Sequence, residues 1–178
     1  MEPAESHDPA TAYHEAGHAV IALALDRPVH RVSVLPKLKR LGQCEFKKGV
    51  SRGTDDWLER EILIALAGLA AEARHTGRYG LSEADQDLRY VRRLVLQRTS
   101  ERAAERYERR MLAKVEYLLS DDVNWAAVEA IAAELLKLGT ISGRLARHLY
   151  DHAEITVSRK AAKTQGKREE DIEQQTPI

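Results

Sequence analysis

His14-Glu15-Ala16-Gly17-His18 decides how this chain is read. On one turn of helix, histidines four residues apart project from the same face, so both rings can meet a single metal ion. Glu15 stands beside them, placed to poise and deprotonate a metal-bound water, and the whole is the H-E-x-x-H pattern of zinc hydrolases. The bland alternative is a helix face whose histidines make ordinary hydrogen bonds. The residues around the pentapeptide must decide between the two.

Working outward, Ala12 to Leu25 is alanine-rich and carries Val20, Ile21, Leu23 and Leu25, which predicts a largely buried helix. Structure is expected to begin near Thr11, because residues 1–9 hold two prolines and no periodic apolar pattern and read as a flexible N-terminal arm. Asp26-Arg27-Pro28 ends the helix. Val29 to Leu35 alternates with β-branched residues, a strand that Pro36 limits, and Gly42 to Phe46 reads as a second strand, antiparallel across the basic turn Pro36-Lys37-Leu38-Lys39-Arg40.

A second helix opens at Asp55-Asp56-Trp57, whose acids suit its positive end, and runs to about His75. Its centre, Ile62 to Ala71, is apolar on nearly every face and belongs inside the fold. After a loop at Thr76-Gly77-Arg78-Tyr79-Gly80, Ser82 or Asp85 is expected to cap a third helix running toward Arg98. A fourth, Thr99 to Leu119, places Ala103, Tyr107, Met111, Val115 and Leu118 at spacings of three and four. Asp121-Asp122 caps a fifth from Val123 to Lys137, which Gly139 terminates, and a short last helix follows Ser142 to about Val157. Residues 158–178 are Lys, Arg, Glu and Gln with little to bury and read as a disordered charged tail. The fold class is therefore α+β, mainly α-helical, with a small β-sheet or hairpin after the metal-binding helix.

Composition narrows the function classes. The chain has 178 residues, 43% of them hydrophobic, enough for one domain with a real core. Its 28 basic and 28 acidic residues balance, so no global charge points to nucleic acid or an anionic membrane. Cys44 is the single cysteine, which excludes an internal disulfide framework and a cysteine metal knuckle. Any metal must then be held by nitrogen and oxygen. The N-terminus does not read as a signal peptide, and the longest apolar stretch, Ile62 to Ala73, is too short to span a bilayer, so a cytoplasmic protein is expected.

Several segments then fall into a known order. Thr11-Ala12-Tyr13-His14-Glu15-Ala16-Gly17-His18-Ala19 resembles the start of the peptidase domain of FtsH-type zinc proteases, a membrane-anchored, ATP-driven family. Pro28 to Pro36 with Leu41-Gly42 is similar to the strand and turn that follow there, and Leu66-Ala67-Gly68-Leu69-Ala70-Ala71-Glu72 to its central glycine-containing helix. Asp87-Leu88 sits where its Asn-Asp-Leu-like metal segment lies, and Leu135-Leu136-Lys137 with Thr140 to Gly143 is similar to its closing helices. The likeness covers about Ala10 to Leu149, and residues 10–157 are expected to form the peptidase domain.

The resemblance implies roles. His14 and His18 match the family's two zinc-binding histidines, and Glu15 its general base. The third ligand there is an aspartate on a downstream helix; Asp87 fits best, since Leu88, Val91 and Leu94 then take that helix's apolar positions, with Asp85 and Glu72 as alternatives. Glu72 suits better a carboxylate that orients a ligand histidine through its other ring nitrogen. Three such ligands leave a fourth position for water on one zinc ion, which two histidines and a carboxylate suit better than magnesium or calcium. The implied activity is that of a zinc metalloendopeptidase, with the substrate held extended beside the edge of the Val29 to Leu35 strand.

The sequence holds no Gly-x-x-x-x-Gly-Lys-Ser/Thr loop and no transmembrane segment, so a stand-alone peptidase is expected, acting on unfolded polypeptides or a designated partner. A separate ATPase that unfolds substrates, or assembly into a homo-oligomer, is compatible with this. The competing reading is a catalytically silent zinc-binding regulatory or interaction module, against which the intact Glu15 argues. Other features have plainer explanations. His148 and His152 lack an adjacent glutamate and read as a solvated face, and His30 and His75 as structural or surface residues. Arginines 89, 92, 93, 98, 102, 106, 109 and 110 are interleaved with Glu101, Glu105 and Glu108, which favours a self-paired face over nucleic-acid binding. Trp57 and Trp125 read as core or interface anchors.

Overall fold

Asp8 starts the first helix. Its carboxylate accepts hydrogen bonds from the Thr11 backbone N–H and hydroxyl, both at 2.9 Å, and Pro9 occupies the first turn, where a missing N–H costs nothing. The structure, a computed structural model, describes residues 7–36, 42–46 and 56–173, without the side chains of 81–85 and 161–173. Residues 1–6 of the expected arm, the basic turn from Lys37 to Arg40, Asp55 and residues 174–178 lie outside that description.

Helix α1 spans Pro9–Ala24, so order begins before the expected Thr11. Ala12, Ala16, Ala19, Val20, Ile21 and Ala22 are fully buried in it. Helix α2, Trp57–Thr76, crosses α1 on the face that carries Gly17, His14 and His18. At the crossing, a methyl group on Gly17 would lie 2.5 Å from the Ala67 carbonyl oxygen, so the two backbones all but touch. Helix α2 is buried continuously from Ile62 to Glu72, as its all-round apolar sequence requires. Asp56 caps its start by accepting from Glu59 N–H at 3.1 Å, and Gly77, at φ 77°, closes its end.

Strands β1 (Val29–Ser33), β2 (Gln43–Phe46) and β3 (Thr140–Ser142) form an antiparallel sheet in the order β2-β1-β3. The expected hairpin is present, with Val32 opposite Cys44 and Ser33 opposite Gln43. β1 ends at Ser33 rather than Leu35, because Val34 N–H turns to the Gly139 carbonyl at 2.9 Å and Leu35 N–H to the Ser33 hydroxyl at 3.2 Å. β3 is not foreseen by the sequence; it pairs Ile141 with Val32 and places β1 in the centre of the sheet. That corrects the expected substrate edge: both sides of β1 are taken, and β2 is an outer strand.

Helix α3, Leu81–Val95, has Gly80 at its cap and no side-chain cap bond, where Ser82 or Asp85 was expected to serve, and it stops short of Arg98. Helix α4, Glu101–Ser120, buries Ala104, Met111, Val115 and Leu119, a stripe displaced from the expected Ala103, Tyr107 and Leu118. Helix α5, Asp122–Leu138, is capped by Asp121, which accepts from Val123 and Asn124 N–H at 3.0 Å, and closed by Gly139 at φ 68°. Helix α6 runs Gly143–Glu173, well past Val157. Its alanines, lysines, arginines and glutamates favour helix even where there is little to bury. Among the described residues no helix is long and apolar enough to cross a membrane.

Candidate metal centre

The rings of His14 and His18 leave α1 on one face with centroids 4.8 Å apart, edge to face at 77°. Each is held from behind by α2. His18 Nδ1 donates to the Ile64 carbonyl at 2.7 Å, and His14 Nδ1 meets Glu72 Oε2 at 3.0 Å. A carbonyl accepts only, so Nδ1 of His18 carries its proton and Nε2 is left as the lone-pair nitrogen of the neutral ring; the Glu72 carboxylate imposes the same tautomer on His14.

Both Nε2 atoms face Asp87 on α3, whose Oδ2 lies 3.1 Å from His14 and 3.2 Å from His18. Ligand atoms of the three residues fall within 4.8 Å of one another. Tetrahedral ligands at roughly 2.0–2.2 Å from a zinc ion stand about 3.3–3.6 Å apart, close to the two separations between Asp87 Oδ2 and the histidine Nε2 atoms. The donor set, two imidazoles and a carboxylate, is likewise one that zinc accepts.

The electrostatics favour positive charge on the two rings. Burial opposes charge on His14, yet the hydrogen bonds to Asp87 and Glu72 outweigh it and raise its pKa to about 10. Burial also opposes charge on His18, and Asp87 again prevails and raises it. Burial pushes the Asp87 carboxyl upward, but His18 and His14 hold it well below the usual carboxylate range.

Glu15 is buried at 6% exposure on the neighbouring face of α1, and its charge favours positive charge on both histidines. Gly42, at the start of β2, presses against it; a methyl group there would stand 2.6 Å from Glu15 Oε1. The carboxylate thus lies between the two histidines' helix and the outer strand. Cys44 is half-buried on β2, and burial, with the charges of Glu15, Glu45 and Asp87, pushes its thiol well up, so it stays protonated.

Of the residues singled out from the sequence, His14, His18, Glu72 and Asp87 come together, with Glu15 beside them, while the Asp85 side chain is among those not described. Sequence reasoning missed the Ile64 carbonyl, Gly42 and Gly68. Only the glycines left a signal, Gly68 being a poor helix former in the middle of a strongly apolar helix.

Elsewhere, His30, His148 and His152 are exposed, and His75 stacks on Tyr13 at 3.7 Å. Trp125 is half-buried under the Arg74 guanidinium at 4.0 Å, whereas Trp57, 49% exposed, is no core anchor. Arg92 bonds Glu101 and Glu108, Arg109 bonds Glu105 and Arg98 bonds Asp56, so these three arginines are met by acids within the chain.

Comparison with known proteins places this geometry in context. The model of the Peptidase family M41 matches residues 2–101. The "ATP-dependent zinc metalloprotease FtsH" of Magnetococcus marinus is 46% identical over 66 residues, 35% of this chain and 10% of that protein. The protein of the same name from Cupriavidus metallidurans is 44% identical over 73 residues, 38% and 11% of the two chains. That of Thermobaculum terrenum is 36% identical over 90 residues, 48% and 14%. The aligned parts thus span 10–14% of the length of these curated relatives.

Proposed function

The chain belongs to peptidase family M41, and from that membership we propose that it is by itself a zinc-dependent metalloendopeptidase, with His14, His18 and Asp87 holding one zinc ion and Glu15 as general base. The observation that carries this reading is the convergence of three nitrogen and oxygen donors, two from α1 and one from α3, beside the buried carboxylate of Glu15. A purely structural site has no use for that carboxylate and tends to close its fourth position.

When bound, zinc supplies Lewis-acid chemistry, lowering the pKa of water toward about 7 and polarising a carbonyl oxygen. The chain's own groups do the rest. Glu15 takes a proton from the attacking water and delivers it to the leaving amine, two transfers by one carboxylate. Glu72 and the Ile64 carbonyl fix the ring orientations, so that the donor nitrogens are in place before the substrate arrives. The substrate lies extended along β2, the outer strand next to Glu15, where main-chain pairing accepts many sequences. Substrates are unfolded or flexible polypeptides, or one designated partner. Stably folded proteins need an unfoldase to feed such a site.

The test is cleavage of unfolded casein by the purified chain, with and without a chelator, against Glu15→Gln. Loss of the general base lowers turnover by about 100-fold or more while zinc remains bound. A Glu15→Gln protein that cleaves at the parent rate removes the mechanism, and a parent that binds zinc without cleaving leaves a binding module instead.

A further inference from the structure

Helix α2 meets the two histidine rings with a stripe of three residues spaced by four: Ile64, Gly68 and Glu72. The outer two hold the rings from behind, through the Ile64 carbonyl and the Glu72 carboxylate. The middle one contributes nothing but space. A methyl group on Gly68 would overlap His18 Nε2 and stand 2.6 Å from both Nε2 and Cδ2 of His14, the nitrogens that face Asp87. Neither ring can retreat from it without releasing its Nδ1 partner.

We propose that Gly68 is a positioning residue for the metal: the floor under the two Nε2 atoms, which must carry no side chain for both rings to reach one ion. This rests on the reading of His14, His18 and Asp87 as zinc ligands. Glycine is among the poorest helix formers, and here it sits in the middle of a buried helix, so its presence needs a cause outside α2. Gly17 has a different one. A methyl group there meets the Ala67 backbone, so its replacement separates α1 from α2, whereas at Gly68 the three nearest atoms all belong to the rings of His14 and His18. The two glycines therefore divide the labour: Gly17 lets the helices pack, and Gly68 lets the packed helices hold a cation.

The test has two arms. Zinc affinity is measured by competition with a chelating dye for the parent and Gly68→Ala; the variant is expected to bind at least about tenfold more weakly, as when an orienting partner is lost. An affinity within about twofold of the parent overturns the proposal. A parent that binds no zinc defeats the functional reading instead, and the second arm then decides the inference without metal. Thermal midpoints of chelator-treated protein are compared for Gly68→Ala alone and in a His14→Ala/His18→Ala background. With both rings gone the methyl has room, so Gly68→Ala raises the midpoint there and raises it less, or lowers it, when the rings are present. Equal shifts overturn the proposal. If Gly68→Ala alone fails to fold, recovery of folding in the ring-free background supports it and continued failure overturns it.

Discussion

At the level of single residues, three carboxylates near the histidines carry different work. Asp87 touches both Nε2 atoms, Glu72 touches His14 from the far side, and Glu15 shares their burial and favours positive charge on both rings. Substitution separates them. Asp87→Asn removes the anionic donor and is expected to weaken zinc binding most, while Asp85→Asn leaves it unchanged. Glu72→Ala keeps all three donors but frees the His14 ring, and a loss of about 10–100-fold in affinity follows. Equilibrium dialysis against a zinc buffer ranks the variants; an Asp85→Asn protein that loses more than Asp87→Asn overturns the assignment of the third ligand. Much of this set was legible from spacing and from the resemblance, since side-chain types carry it. The Ile64 carbonyl was not, because a backbone acceptor has no residue signature. Gly68 announced only that something comes close, and nothing local says what.

Among the elements, α2 is the platform, and its start is tied down by a single residue. Asp56 caps the helix through Glu59 N–H and also accepts from the Arg98 guanidinium at the far end of the α3 segment. The Arg98 hydrogen bond holds the Asp56 carboxyl below its ordinary value, against an upward push from burial. A carboxyl with a depressed folded pKa stabilises the fold fully above its unfolded value of about 3.9 and loses that contribution as the pH falls through the lower folded value. Asp56→Ala should therefore cost about 1 kcal/mol at neutral pH, the usual worth of a helix cap, and less in acid. Urea melts of parent and variant at neutral pH and near pH 2 check this; a gap that does not narrow in acid would show that the charge is irrelevant. Caps of this kind explain why helix ends such as Asp121 and Gly139 were readable in advance. β3 was not, since Thr140–Ser142 is too short to show alternation and its partner Val32 lies far away in sequence. Without β3, β1 looks like an edge and invites the wrong place for a substrate.

For the whole molecule, the candidate metal centre is the point where distant segments meet. Its donors come from α1 and α3, with α2 bracing both rings, so none of the three can leave without dismantling the site. A cation bound there binds the native state and not the unfolded chain, and stabilises the fold by mass action. At free zinc about 1,000 times the dissociation constant the gain is about 4 kcal/mol. For a domain of this size that is about 8–16 °C in the thermal midpoint. Calorimetry with and without chelator should show such a rise for the parent. Glu15→Gln should show the same rise, because in this reading Glu15 handles protons and not the ion. His14→Ala/His18→Ala should show almost none. The pattern across the three proteins is more telling than any one shift: a rise that survives loss of both histidines would put the ion elsewhere, and a rise that vanishes with Glu15→Gln would make that carboxylate a ligand rather than a base.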